Sequence, residues 1–284
     1  MLRSLRARAP FVACAFALTA AGAVAAAPAA AQVAPGSVLS FSGSADAQDL
    51  GTPGVFLDFQ PTVTANARAN TGSFAQFNRP AGPAATGAVA GLLVGAGPQV
   101  VPNFLTIGGY SFTVRMLPSG PFGQAECYVD PAPYQTCTPY QGELGNPRPG
   151  IDALSPFYMT NLPSVIPDSG PLMSFVAFNL VGTVTGPGNV TTSFFGTIAT
   201  LLPASYQEVL GGLEAVSAGG GVFPGLPFYG TFVADSPLPP TSTALADAML
   251  VEMMVTPEPG TVALVGAGLL GAAGLGGLAR RRRP

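Results

Sequence analysis

What most constrains this chain is the way Gly and Pro break up short runs of aromatic and β-branched residues. Between Gln32 and Thr256, 54 of 225 residues are Gly or Pro. That density approaches the range of low-complexity chains. Disordered segments, however, are poor in aromatics, whereas this stretch carries sixteen Phe and seven Tyr. The breakers therefore read as turns, and the runs between them as strands. Candidate strands are Ser37–Gly43, Gly54–Gln60, Phe104–Leu117, Leu172–Thr185, Val190–Leu202 and Gly221–Ala234. In Ser111–Met116, Phe112 and Val114 alternate with Thr113 and Arg115, the period of a half-buried strand. Ala204–Val216 is the best helix candidate, with Tyr206, Val209, Leu210 and Leu213 on one face. Residues 61–103, rich in Ala, Gly, Pro and Asn, are expected to contain loops. The expected fold is all-β: a single jelly-roll-like β-sandwich with one short helix over residues 32–255.

Both ends differ from this middle. Residues 1–31 have a basic start (Arg3, Arg6, Arg8), an apolar stretch from Phe11 to about Ala23, and Ala29-Ala30-Ala31 before Gln32. These are the three parts of a cleavable secretory signal peptide, which implies passage through the Sec translocon. At the other end, Thr261–Ala279 is 19 residues without a charge. At about 1.5 Å per residue such a helix is about 28 Å long, close to a bilayer core of about 30 Å. Arg280, Arg281, Arg282 and Arg283 follow at once. They act as a cytoplasmic stop and leave the main chain outside. The expectation is a single C-terminal transmembrane helix over 261–279.

Pro257-Glu258-Pro259, the apolar run and the terminal arginines, in that order, resemble the PEP-CTERM sorting segment. The resemblance covers residues 256–284, with Thr256 where Val is usual. It implies recognition and removal of the tail by an exosortase, in a Gram-negative bacterium that makes exopolysaccharide and biofilm. The localisation implied is an inner-membrane-anchored precursor with its C-terminus in the cytoplasm, then the cell surface or exterior. The stretch from Gly108-Gly109-Tyr110-Ser111-Phe112 to Ser205-Tyr206-Gln207-Glu208-Val209-Leu210 is similar to a recurrent domain of exported PEP-CTERM proteins. That second resemblance brings no catalytic residues.

Composition narrows the chemistry. The chain has no His and no Lys, so there is no imidazole base or ligand, no Schiff-base lysine and no P-loop lysine. Residues 32–256 hold four Arg against thirteen carboxylates, a net charge of −9. An acidic surface of this kind excludes nucleic acid as a partner. Cys127 and Cys137 are the only cysteines of the mature chain, and in an oxidising compartment they are expected to form a disulfide. Closing that loop constrains the unfolded chain by about 2–3 kcal/mol. No cofactor and no metal are implied. Asp46, Asp49 and Asp58 lack the EF-hand spacing and read as solvated carboxylates. Tyr134 and Tyr140, flanking the cysteine loop, are candidates for stacking on sugar rings. Asn189-Val190-Thr191 matches a glycosylation acceptor, a short and frequent pattern.

Three functional readings result. The first is a non-enzymatic envelope or matrix protein with a structural or interaction role linked to exopolysaccharide. The second is a cell-surface carbohydrate-binding module. The third is a His-independent glycosidase using two carboxylates.

Overall fold

The computed structural model describes residues 33–49, 55–79, 82–95, 97–141, 153–164, 172–219 and 222–235. Its strands are β1 (Val38–Asp49), β2 (Val55–Phe59), β3 (Val63–Ala65), β4 (Thr86–Val89), β5 (Leu92–Val94) and β6 (Gly97–Ile107). They continue with β7 (Tyr110–Leu117), β8 (Thr136–Cys137), β9 (Phe157–Pro163), β10 (Leu172–Thr185), β11 (Thr191–Leu202) and β12 (Val222–Ala234). One helix, α1 (Tyr206–Gly219), lies between β11 and β12. All twelve strands belong to one sheet, and every pairing is antiparallel.

The sheet closes on itself. Its path runs β11–β12–β1–β3–β4–β6–β7–β10, and β10 pairs with β11 from Ser174 opposite Leu202 to Thr185 opposite Thr191. These eight strands form an antiparallel barrel. The expected jelly-roll-like β-sandwich is therefore corrected. A sandwich has two sheets with free edges, whereas full closure removes the edges of this ring. The alternation of residues along a strand is the same in both architectures, so strand patterning alone could not separate them.

The expected transmembrane helix over 261–279 falls outside the described residues. Among the described residues no helix is long and apolar enough to cross a membrane. Residues 261–279, the signal peptide 1–31, Pro257-Glu258-Pro259 and Arg280–Arg283 all lie outside the described residues.

An eight-stranded barrel is just wide enough for side chains to fill. Here the filling is aromatic and is made possible by glycine. Phe41 lies directly across from Gly230, Phe228 from Gly43, Phe232 from Gly196 and Phe194 from Gly182. In each pair the ring lies over the position where a Cβ would stand. The rings then meet one another: Phe194 stacks on Phe232 at 4.8 Å, while Phe41 meets Phe232 edge-on at 5.0 Å and Phe112 meets Phe194 edge-on at 5.3 Å. Such contacts contribute about 0.5–1.5 kcal/mol each beyond the burial itself.

The two ends of the barrel differ. At one end the 3-10 turn Gly72–Phe77 plugs the opening with buried Phe74 and Phe77. Ser73 holds it there by donating its N–H to Ser37 Oγ at 2.9 Å and accepting from the Tyr110 hydroxyl at 3.1 Å. At the other end two long strands change partners. β1 pairs with β3 at Phe41 and Ser42, then with β2 from Ala45 to Asp49. β10 pairs with β7 from Val181 to Thr185, but with β9 from Leu172 to Phe178. The wall therefore forks, with β2 and β5 on one branch and β9 and β8 on the other. A bulge between Ala45 and Ala47 bends β1 at the fork.

Candidate functional site: an apolar cavity at the forked end

The fork opens a cavity of about 140 Å³. β1 lines it with Ala45 and Ala47, β2 with Leu57, β10 with Val176 and Phe178, and β11 with Ile198, Thr200 and Leu202. β12 adds Phe223, Leu226 and Phe228, and α1 adds Val209 and Leu210. On β11, alternation turns 198, 200 and 202 to the same face. Thr200 is thus a hydroxyl-bearing residue in an apolar wall. Its Oγ1 is buried and has no hydrogen-bond partner. No charged side chain is among the described residues around the cavity.

α1 roofs this end, and its start is fixed by local chemistry. Ser205-Tyr206-Gln207-Glu208 forms a capping box. Ser205 Oγ accepts the Glu208 N–H at 3.3 Å, and a Glu208 carboxylate oxygen accepts the Ser205 N–H at 2.9 Å. Tyr206 is fully buried and donates its hydroxyl to the Glu126 carbonyl at 2.8 Å. Burial, together with the nearby Glu126 charge, pushes its pKa up to about 12.

The expected Cys127–Cys137 disulfide is present, with Cα atoms 5.2 Å apart. Both cysteines are buried against α1, Met159, Val176 and Leu202. The bridge therefore staples the loop under the helix as well as closing it. A polar network completes the link. Asn161 on β9 accepts the Tyr206 N–H at 2.9 Å and donates to Gln207 Oε1 at 3.0 Å. Gln207 donates to Gln135 Oε1, in the stapled loop, at 3.0 Å. Asn161, Gln135 and Gln207 escaped the sequence reading, because their partners lie 26 to 72 residues apart. The Ser-x-x-Glu pattern before the helix was the one local signal pointing here.

A second cluster lies outside the barrel wall, where Tyr158, Phe175, Ala177 and Ala199 are covered by Phe122. Burial pushes the Tyr158 pKa up to about 12, slightly opposed by a hydrogen bond to Thr197.

The other expected residues fall as follows. Asp46 and Asp58 are directly opposed across β1 and β2, while Asp49 faces Val55. Asp46 Oδ1 accepts the Gly225 N–H at 2.6 Å, where Gly225 takes a left-handed φ of 66° at the bulge. This carboxylate thus serves the backbone. Among the described residues no group of three or more Cys, His, Asp and Glu could hold a metal ion. Tyr134 is 71% exposed on the stapled loop, but Tyr140 is half-buried and borders the cavity. Asn189 sits in the β10–β11 turn with a left-handed φ of 57°.

No family model, no curated protein and no solved structure matches the chain. The arrangement itself has the form of a binding site. A closed barrel holds a concave, largely apolar space; among the described residues its wall carries Thr200, Ser155, Tyr140 and Gln141 as polar members and no charged side chain.

Proposed function

We propose that this chain is an exported protein of the cell envelope or extracellular matrix, with a non-enzymatic structural or interaction role linked to exopolysaccharide. Its partners in this reading are the Sec translocon, an exosortase and exopolysaccharide. The precursor is held at the inner membrane with its C-terminus in the cytoplasm, and the processed form reaches the cell surface or exterior. The observation that carries the reading is the order of Pro257-Glu258-Pro259, an uncharged run and Arg280–Arg283 in a chain that begins with a signal-type segment. A buried Cys127–Cys137 bridge adds support, since such bonds persist in oxidising compartments.

The test is processing in a host that carries an exosortase. The parent should lose its tail at or near Pro257-Glu258-Pro259. Changing Pro257 and Pro259 to Ala removes the fixed, extended backbone that a protease groove binds, so the heavier form should accumulate. Trimming of the double variant at the parent's rate, or an untrimmed parent, would refute the sorting reading.

One observation favours a second reading, a carbohydrate-binding module: Tyr134 stands exposed on a loop made rigid by the disulfide and the Gln135 network. In that case Tyr134→Ala should abolish retention on immobilised exopolysaccharide while leaving the barrel's circular dichroism unchanged.

A further inference from the structure

We propose that the cavity at the forked end binds a neutral, single-ring molecule bearing one hydroxyl group, a ligand of the phenol class. Size is the first argument. An apolar protein cavity of about 150 Å³ admits benzene, and this one measures about 140 Å³. Charge is the second. The described lining holds no charged side chain, so an ionised ligand would lose its hydration without gaining a partner. The third is that, of the lining hydroxyls of Thr200, Ser155 and Tyr140, the one on Thr200 is buried without a partner. Thr200 faces inward between Ile198 and Leu202, with Oγ1 buried and unpartnered. Most buried polar atoms in proteins find a partner, so an orphan beside a cavity points to what enters it. The hydroxyl is turned away from water in the structure. A one-third turn about χ1 carries a threonine's hydroxyl into the well its methyl held and the methyl into the well of the hydrogen. Thr200 can then donate to a phenolic oxygen or accept from the phenolic O–H. The ring would lie against Val176, Phe178, Ile198 and Leu226, in space left open by Ala45 and Ala47. This inference is independent of the sorting tail.

The experiment titrates the purified full chain with phenol and, separately, with benzene. Binding is read from the methyl NMR signals of Ile198 and Leu202. Both compounds should shift those signals. Thr200→Val keeps the shape of the wall and removes the hydroxyl. It should weaken phenol about tenfold, the effect of losing one buried hydrogen bond, and leave benzene unchanged. Thr200→Ser should keep phenol binding. The proposal fails if neither compound shifts the Ile198 and Leu202 methyls at saturation. It fails equally if benzene binds and phenol does not, or if Thr200→Val leaves phenol binding intact.

Discussion

Replacing Gly230 by Ala tests the account of how the barrel is filled. Phe41, 1% exposed, lies across the strand pair from Gly230. A Cβ at 230 would stand 2.6 Å from Cε1 and 2.7 Å from Cε2 of that ring, and closer still to Cζ. Real Cβ contacts under 3.0 Å essentially never occur, so the ring must leave its position. It cannot do so freely, because Phe232 packs against it at 5.0 Å and Phe228 at 6.2 Å. Overpacking of a filled core costs about 1–3 kcal/mol. Against this, Ala loses less backbone entropy on folding, which returns about 0.5–1 kcal/mol. The net expectation is a loss of about 1–2 kcal/mol. A domain of about 200 residues shifts its midpoint by about 2–4 °C per kcal/mol, so Tm should fall by about 2–8 °C. Thermal melts of parent and variant followed by circular dichroism measure this directly. A double-mutant cycle with Phe41→Leu sharpens it: shrinking the ring should cost less in the Gly230→Ala background than in the parent. A Tm equal to or above the parent's, or strictly additive effects, would refute the ring-over-glycine account.

Two further predictions concern the roof and the outer cluster. Tyr158 and Tyr206 both have folded pKa values near 12 against an ordinary value of 10.0. A raised folded pKa means that the stability from the neutral phenol is fully present below pH 10 and is lost as pH climbs through about 12. Melts across that window should show a steep fall in Tm that flattens in a Tyr158→Phe, Tyr206→Phe variant; an unchanged slope would contradict the burial argument. Ser205→Ala removes the cap of α1 and should cost about 1 kcal/mol. Chemical denaturation should show it, and hydrogen exchange should localise the loosening to the first turn of α1 rather than to β1 or β12.

Strands were largely legible, and closure was not. Leu172–Thr185 coincides with β10, and Val190–Leu202 and Gly221–Ala234 lie within one residue of β11 and β12. Their apolar runs end at Gly and Pro, so local chemistry sets the limits. Phe104–Leu117 read as one strand but folds into β6 and β7, because Gly108 and Gly109 take left-handed φ values and turn the chain. The stretch 61–103, expected to contain loops, also contains β3, β4 and β5, each only three or four residues long, the 3-10 turn Gly72–Phe77 and the first part of β6. β9 was missed because Thr160 and Asn161 interrupt its apolar pattern, and Asn161 serves the helix start. Whether the sheet closes depends on β12 meeting β1 across almost the whole described chain, for example Val38 opposite Val233. No local pattern encodes such a pairing. The cavity was illegible for the same reason, since its walls draw on residues from Ala45 to Phe228.

The seam between the first and last strands brings both ends of the described barrel to one pole. Gly36 donates its N–H to the Ala234 carbonyl at 2.8 Å, so chain entry and the end of β12 lie side by side at the plugged end. The cavity borders the start of β12, at Phe223, Leu226 and Phe228. From Phe228 to Ala234 the strand covers about 20 Å at about 3.3 Å per residue. Whatever is joined to the chain at Asp235 is therefore joined at the pole opposite the cavity.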